Sequence, residues 1–270
     1  MMKDITLGQY YPGQSFLHQL DPRTKLICLF FYMVGLFMVT ELRSFGFLAL
    51  FTAVVIGGSG IPLKTLMRGI KPMWLLLTLT MILNFFMTAD GAVIWQWGFL
   101  KLTDAGVVKG VFMALRLVLL LNVTALLTLT TTPIMLTDGL ERIMKRCFIP
   151  MAHELAMMMT IALRFIPTLI EETDRIMKAQ IARGADFETG NLFQKAKSLI
   201  PLLIPLFVSA FRRADELAMA MEARCYRGGE GRTRLRQLAY HTRDAAAFVV
   251  TACFVAFITM ERFWMQLFGG

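Results

Sequence analysis

Five stretches of the chain are almost free of charge, and the polar residues collect between them. A membrane-crossing helix needs about 20 mostly apolar residues. Leu26 to Thr40 is the first candidate, and Ser44 to Ile56 follows after the short Glu41-Leu42-Arg43 break, so the two read as a hairpin. Gly57-Gly58-Ser59-Gly60-Ile61-Pro62 stops the second run with strong helix breakers. Met73 to Thr88 and Val107 to Thr130 are the third and fourth runs, and Ala245 to Met260, reaching toward Phe268, is the last.

Between Thr131 and Asp244 the pattern changes. Leu140, Ile143 and Met144 recur at helical spacing beside Glu141, Arg142, Lys145 and Arg146, the mark of amphipathic helices. Leu155 to Ile170 is apolar but carries Arg164 and Pro167; it reads either as another amphipathic helix or as a sixth span. Four segments are therefore expected: a leader over 1–25, four spans over 26–130, a charged helical region over 131–244 and a final span over 245–270. The fold class is an all-α integral membrane protein with about five transmembrane helices plus long amphipathic helices.

Composition agrees with that reading. Of 270 residues 56% are apolar, and the mean hydropathy is +0.59, more than a soluble core of this size can hide. The net charge is +9, and its placement sets the expected orientation. Arg23 and Lys25 precede the first run, Lys64, Arg68 and Lys71 lie between the second and third, and the Ala89–Ala105 loop carries Asp90 and Asp104 against Lys101. The positive-inside bias puts the N-terminus and the charged region in the cytoplasm of a cell-membrane protein, with five spans leaving the C-terminus outside. The first run follows a polar leader with no small-residue cleavage site, so it is expected to be retained.

Candidate chemistry is sparse. His18, His153 and His241 have no acid–base partner at local spacing, and Gly228-Gly229-Glu230-Gly231-Arg232 lacks the Lys-Ser/Thr of a phosphate cradle. Cys28, Cys147, Cys225 and Cys253 have neither metal-ligand nor redox spacing. No catalytic residue, metal or cofactor is expected. Arg116, Asn84 and Asn122 are the intramembrane polar candidates, with either a packing or a transport role open to them, while Lys109 can snorkel. The run Arg227, Arg232, Arg234, Arg236 and Arg243 precedes the last span. It is expected to fix topology at anionic lipid, and it lacks the aromatic residues of a nucleic-acid surface. A permease acting alone would need polar residues along several spans; a membrane scaffold would need none.

Two helix ends match. Asp174 to Gly184 and Asp215 to Cys225 align without a gap, sharing the Asp, two Ala and the Arg. Each closes on a small residue, an arginine and another small residue: Ala182-Arg183-Gly184 and Ala223-Arg224-Cys225. Small neighbours let a partner approach while the guanidinium reaches a carboxylate. The leader, Tyr11-Pro12-Gly13-Gln14-Ser15-Phe16-Leu17-His18-Gln19-Leu20-Asp21-Pro22-Arg23-Thr24-Lys25-Leu26, combines a Pro-Gly turn with an Asp-Pro helix start and two basic residues. Leader and motifs, in this order, resemble the transmembrane T component of energy-coupling factor transporters.

That resemblance implies a non-catalytic subunit joining two ABC-type ATPases to a substrate-binding S component that carries a vitamin or a metal ion. It implies crossed coupling helices, with Arg183 and Arg224 as ATPase anchors and Ala182, Gly184, Ala223 and Cys225 as their close-packing neighbours. The leader motif would comprise Pro12, Gly13, Ser15, Leu17, His18, Leu20, Asp21, Pro22, Arg23 and Lys25. Cys225 stands where the family pattern has Gly, and the unequal motifs point to two non-identical ATPases. The leader resembles that of the shared type of these systems, in which one T component serves several interchangeable S components.

Overall fold

A computed structural model describes residues 10–39, 41–88, 92–97, 100–187, 191–229 and 238–268. Thr40, Asp90, Glu230, Gly231, Arg232, Arg234 and Arg236, all used in the sequence reading, lie outside the described residues. Ten α-helices are described: α1 Pro22–Met38, α2 Leu42–Ser59, α3 Leu63–Ile70, α4 Trp74–Met87, α5 Asp104–Thr130, α6 Pro133–Arg146, α7 Ala152–Ala182, α8 Leu192–Ser198, α9 Ile200–Ala223 and α10 Thr242–Phe268. A 3-10 turn, Lys71–Met73, joins α3 to α4.

The helix ends follow from sequence. Asp21 caps α1 by accepting from Arg23 N, and Pro22 fits the first turn because no intrahelical partner awaits its missing N–H. Gly60 ends α2 at φ +67°, a left-handed conformation that glycine adopts at no steric cost. The Thr103 hydroxyl caps α5 by accepting from Gly106 N, and Asp104 meets the positive end of the helix dipole.

Four described helices, or helix runs, are long and apolar enough to cross a membrane: 63–87, 104–130, 152–182 and 242–261. Three of these contain the third, fourth and last apolar runs. The third run is longer than its apolar part, because α3 and the 3-10 turn continue into α4. The fourth helix, α7, begins with the Leu155 to Ile170 stretch, which qualifies by length and composition despite Arg164 and Pro167. The first two runs became helices of 17 and 18 residues, α1 and α2. One element was not expected: the loop before α5 holds an antiparallel hairpin of β1 Val93–Trp97 and β2 Leu100–Thr103. Its sequence is rich in aromatic and β-branched residues, which favour extended backbone.

The chain divides into two compact units, one of residues 8–139 with 237–270 and one of residues 140–236; the divide falls inside α6. In the first unit α1, α2, α5 and α10 share a core of Tyr32, Leu36, Val39, Phe45, Leu48, Leu119 and Ile258. Gly110 lets α4 and α5 meet, since a Cβ there would lie 2.5 Å from the Phe85 ring. Many large apolar side chains remain outside this core, among them Trp74, Leu75, Met87 and Val249. Such a surface belongs in lipid rather than water. In the second unit α7 packs on α9, and α8 on α9.

Candidate functional site: two matched helix ends and a leader knot

The two motifs identified in the sequence occupy the same positions of the same helix cap. Ala182 is the last residue of α7, Arg183 the C-cap, and Gly184 follows at φ +88°. Gly184 N–H donates to Ile181 O at 2.9 Å and Ala185 N–H to Gln180 O at 3.0 Å. At α9, Ala223 is last, Arg224 is the C-cap, and Cys225 follows at φ +52°. Here Cys225 N–H donates to Glu222 O at 2.9 Å and Tyr226 N–H to Met221 O at 3.0 Å. Both are Schellman closures, in which a left-handed residue turns the chain back over the last orphan carbonyls. The third motif position carries positive φ, a feature the sequence reading missed. Glycine does so freely, whereas cysteine carries a strain of about 1 kcal/mol.

The cap is not itself the distinguishing feature. Helix α6 ends the same way, with Phe148 at φ +56° and Ile149 N–H donating to Met144 O at 3.1 Å, but Cys147 stands at its C-cap. What α7 and α9 share beyond the cap is an exposed arginine at the turn, flanked by an exposed Ala.

The two helices are joined by an ion pair between Arg213 of α9 and Glu172 of α7. Glu172 stands eleven residues before Arg183, and Arg213 eleven residues before Arg224. At 1.5 Å per residue each arm is about 16 Å long, and three turns bring each arginine back to within about 20° of the face that bears the ion pair. Two arms of equal length and equal phase thus run from one cross-link to the two matched ends.

The leader residues serve a different purpose. Gly13 lies under the His18 ring, where a Cβ would come within 2.8 Å. His18 Nε2 donates to Tyr11 O at 2.9 Å, so its Nδ1 accepts from the Ser15 hydroxyl at 2.6 Å. Leu17 and Leu20 line an apolar cavity of about 450 Å³ bounded by α1, α2, α5 and α10. Pro22 packs closely on Gly139. Asp21 accepts from Arg23 Nε at 3.0 Å and Arg23 Nη2 at 2.8 Å, while its own N–H donates to Asp244 Oδ1 at 2.7 Å. The Arg23 guanidinium also lies 4.0 Å from the Tyr240 ring centroid, and its bond to Asp21 raises its pKa above the ordinary value. Lys25, ahead of the apolar run that starts at Leu26, donates from Nζ to Thr130 O and Thr131 Oγ1, both at 3.0 Å. Burial lowers its pKa to about 8 against the pull of Asp21 and Asp244. The leader motif is a knot that ties the start of α1 to the end of α5 and the start of α10.

Arg116, Asn84 and Asn122 are not brought together. Arg116 Nη2 donates to Val39 O, the C-cap carbonyl of α1, at 2.6 Å, and its guanidinium lies 5.7 Å from the Phe37 and Phe45 ring centroids. That is a favourable place for a cation, at the negative end of a helix dipole. Asn84 and Asn122 donate back to Thr80 O and Val118 O of their own helices. The Tyr32, Thr52, Thr130 and Thr251 hydroxyls in the apolar cavity are likewise engaged. Sequence spacing missed the ion pair at Glu172 and a cluster around His153, because both pair residues far apart in the chain.

Comparison with known proteins gives the family. The family described as cobalt transport protein, CbiQ, matches residues 13–235. A relative from Acidaminococcus fermentans, named energy-coupling factor transporter transmembrane protein EcfT, is 56% identical over 94% of this chain and 96% of its own length. Proteins of the same name from Thermosediminibacter oceani and Bacillus subtilis are 56% and 48% identical, each over 97% of this chain and 99% and 100% of their own. Matched over nearly its whole length, the chain belongs to the family of energy-coupling factor transporter transmembrane proteins and is a membrane component of such a transporter.

Proposed function

We propose that this chain couples two cytoplasmic ABC-type ATPases to a substrate-binding S component, so that ATP turnover drives uptake of a vitamin or a metal ion. Arg183 and Arg224 are the anchors, each entering a groove of one ATPase while Ala182, Gly184, Ala223 and Cys225 let the groove close on the turn. The reading places the leader, α7 and α9 ends on the cytoplasmic side, as the basic residues at Arg23, Lys25, Lys64, Arg68 and Lys71 favour. Exposed apolar side chains of α7 and α9, such as Met158, Phe207 and Met219, supply a face for the S component. Methionine suits a surface that repacks against interchangeable partners. Glycine at one end and a strained cysteine at the other favour two non-identical ATPases.

The observation that carries the reading is the pair of identical caps at the ends of arms of equal length, each presenting an exposed arginine. A relative shift of two ATPases would move the arms against one another about the Glu172–Arg213 cross-link. A permease acting alone is disfavoured, because the hydroxyls lining the apolar cavity are already bonded and offer a polar solute little. The test is co-expression with candidate ATPases and purification of wild type beside the Arg183→Glu, Arg224→Glu double variant. Wild type is expected to retain both ATPases and the variant neither; full retention by the variant would make the motifs ordinary helix ends.

A further inference from the structure

The two matched ends differ in how the chain is held after the turn. At α9 the residue that completes the cap, Tyr226, directs its hydroxyl to His153 Nε2 at 3.1 Å. His153 Nδ1 meets Glu141 Oε1 at 3.0 Å, and Lys145 Nζ approaches the same oxygen at 3.0 Å. Glu141 is only 3% exposed. Three residues beyond Tyr226, Gly229 lies against the face of the imidazole, where a Cβ would come within 2.6 Å of Cδ2. The segment that leaves Arg224 is therefore clamped over a ring that stands in the first turn of α7, and the ring is held from behind by α6. Gly184 has no atom within 4 Å of where its Cβ would be.

We propose that Glu141, His153 and Tyr226 form a latch that fixes the Arg224 end of α9 onto the α6–α7 junction, making it the rigidly positioned one of the two docking ends. The proposal rests on the coupling reading, since it treats Arg224 as an anchor. Several features argue for a latch beyond simple core packing. A buried carboxylate is retained only where its lone pairs are engaged, and here they are engaged by groups that lead directly to the docking turn. The imidazole uses both ring nitrogens, one toward Glu141 of α6 and one toward Tyr226 of the cap, and so joins the two elements. The absence of a Cβ at Gly229 admits the ring at a distance no other residue would allow. These are positioning residues: they touch neither ATPase nor solute, and act on Arg224 through the backbone of the cap. The consequence is mechanical. A displacement of the ATPase seated on Arg224 is passed into the start of α7 and into α6.

Cys225, exposed and one residue from the anchor, gives a direct probe. In the full complex, with Cys28, Cys147 and Cys253 replaced by Ser, maleimide labelling of Cys225 reports cover by the docked ATPase. A Gly184→Cys probe on a Cys225→Ser background reports the other end. Arg224→Glu is the control for the coupling reading and should abolish protection at 225. Tyr226→Phe, which deletes one hydroxyl, should raise labelling at 225 roughly fivefold, the effect of one lost hydrogen bond, and leave labelling at 184 unchanged. His153→Ala should do more, and His153→Gln, able to donate and accept, should restore part of the protection. Gly229→Ala, which alters no bonding group, should mimic Tyr226→Phe. If Arg224→Glu exposes Cys225 while the Tyr226, His153 and Gly229 variants leave it protected, the latch is wrong and the coupling reading stands. Equal exposure at 184 and 225 in the latch variants would also overturn it, as general loosening. If Arg224→Glu itself leaves Cys225 protected, the anchor role falls and the latch falls with it.

Discussion

Arg23 and Arg224 are the same residue type at opposite kinds of helix end, and their surroundings are nearly inverse. Arg23 opens α1 with its guanidinium held by both oxygens of Asp21 and covered by the Tyr240 ring. Arg224 closes α9 in the open, with no described carboxylate bonded to its guanidinium, and Arg183 closes α7 in the same way. The difference teaches how to divide the motifs. An arginine whose donors are already used shapes its own chain; an arginine with five unused donors in a fixed fork is available to another. The leader, which identifies the family in sequence, belongs to the first kind, and the paired helix ends to the second.

The largest effect should come from the open arginines. Arg183→Glu and Arg224→Glu should each weaken assembly with an ATPase by about 4 kcal/mol, roughly a thousandfold, without moving the melting temperature of the isolated chain in detergent. Pull-down and thermal unfolding together check this, and a lowered melting temperature would return these residues to the structural class. Asp21→Ala should do the opposite. Removing one member of the buried pair strands Arg23 and the cap of α1, costing about 3 kcal/mol of stability. Affinity for the ATPases among the folded fraction should be unchanged.

Smaller effects sharpen the comparison of the two arms. Glu172→Arg should weaken ATP-driven uptake in reconstituted vesicles several-fold by placing like charges at the cross-link. The Glu172→Arg, Arg213→Glu exchange should recover most of it; the pair is partly exposed, so about 1 kcal/mol is at stake. Without recovery, the cross-link is incidental to coupling. Least of all, Cys225→Gly should stabilise the chain by about 1 kcal/mol by relieving positive φ, and Gly184→Val, which puts a β-branched residue at positive φ, should destabilise it by more than that. Denaturation in detergent reads both, and a neutral Cys225→Gly would mean that the turn is not strained.

Local pattern made much of this legible in advance. The apolar runs marked α1, α2, α4, α5 and α10 within a few residues, since lipid demands long uncharged stretches whatever the tertiary contacts. Asp21-Pro22 announced the start of α1 because capping acts within one turn. The ends at Arg183 and Arg224 were visible because an arginine between small residues is a local arrangement. The hairpin at β1 and β2 was not, since short aromatic strands carry little periodicity to read. The ambiguity at Leu155 to Ile170 arose because α7 is apolar in its first half and charged in its second, so one helix answers to both descriptions.

Amino-acid order alone therefore determined membrane residence, the family, and which arginines deserved attention, because each rests on residues within a few turns of one another. Only the tertiary structure decided what those arginines have to work with. It placed Asp244 against Asp21, Glu172 against Arg213 and His153 against Tyr226, pairs separated by 223, 41 and 73 positions. Whether a charged side chain is spent or open depends on such distant partners, and their approach is set by helix packing that no local spacing encodes.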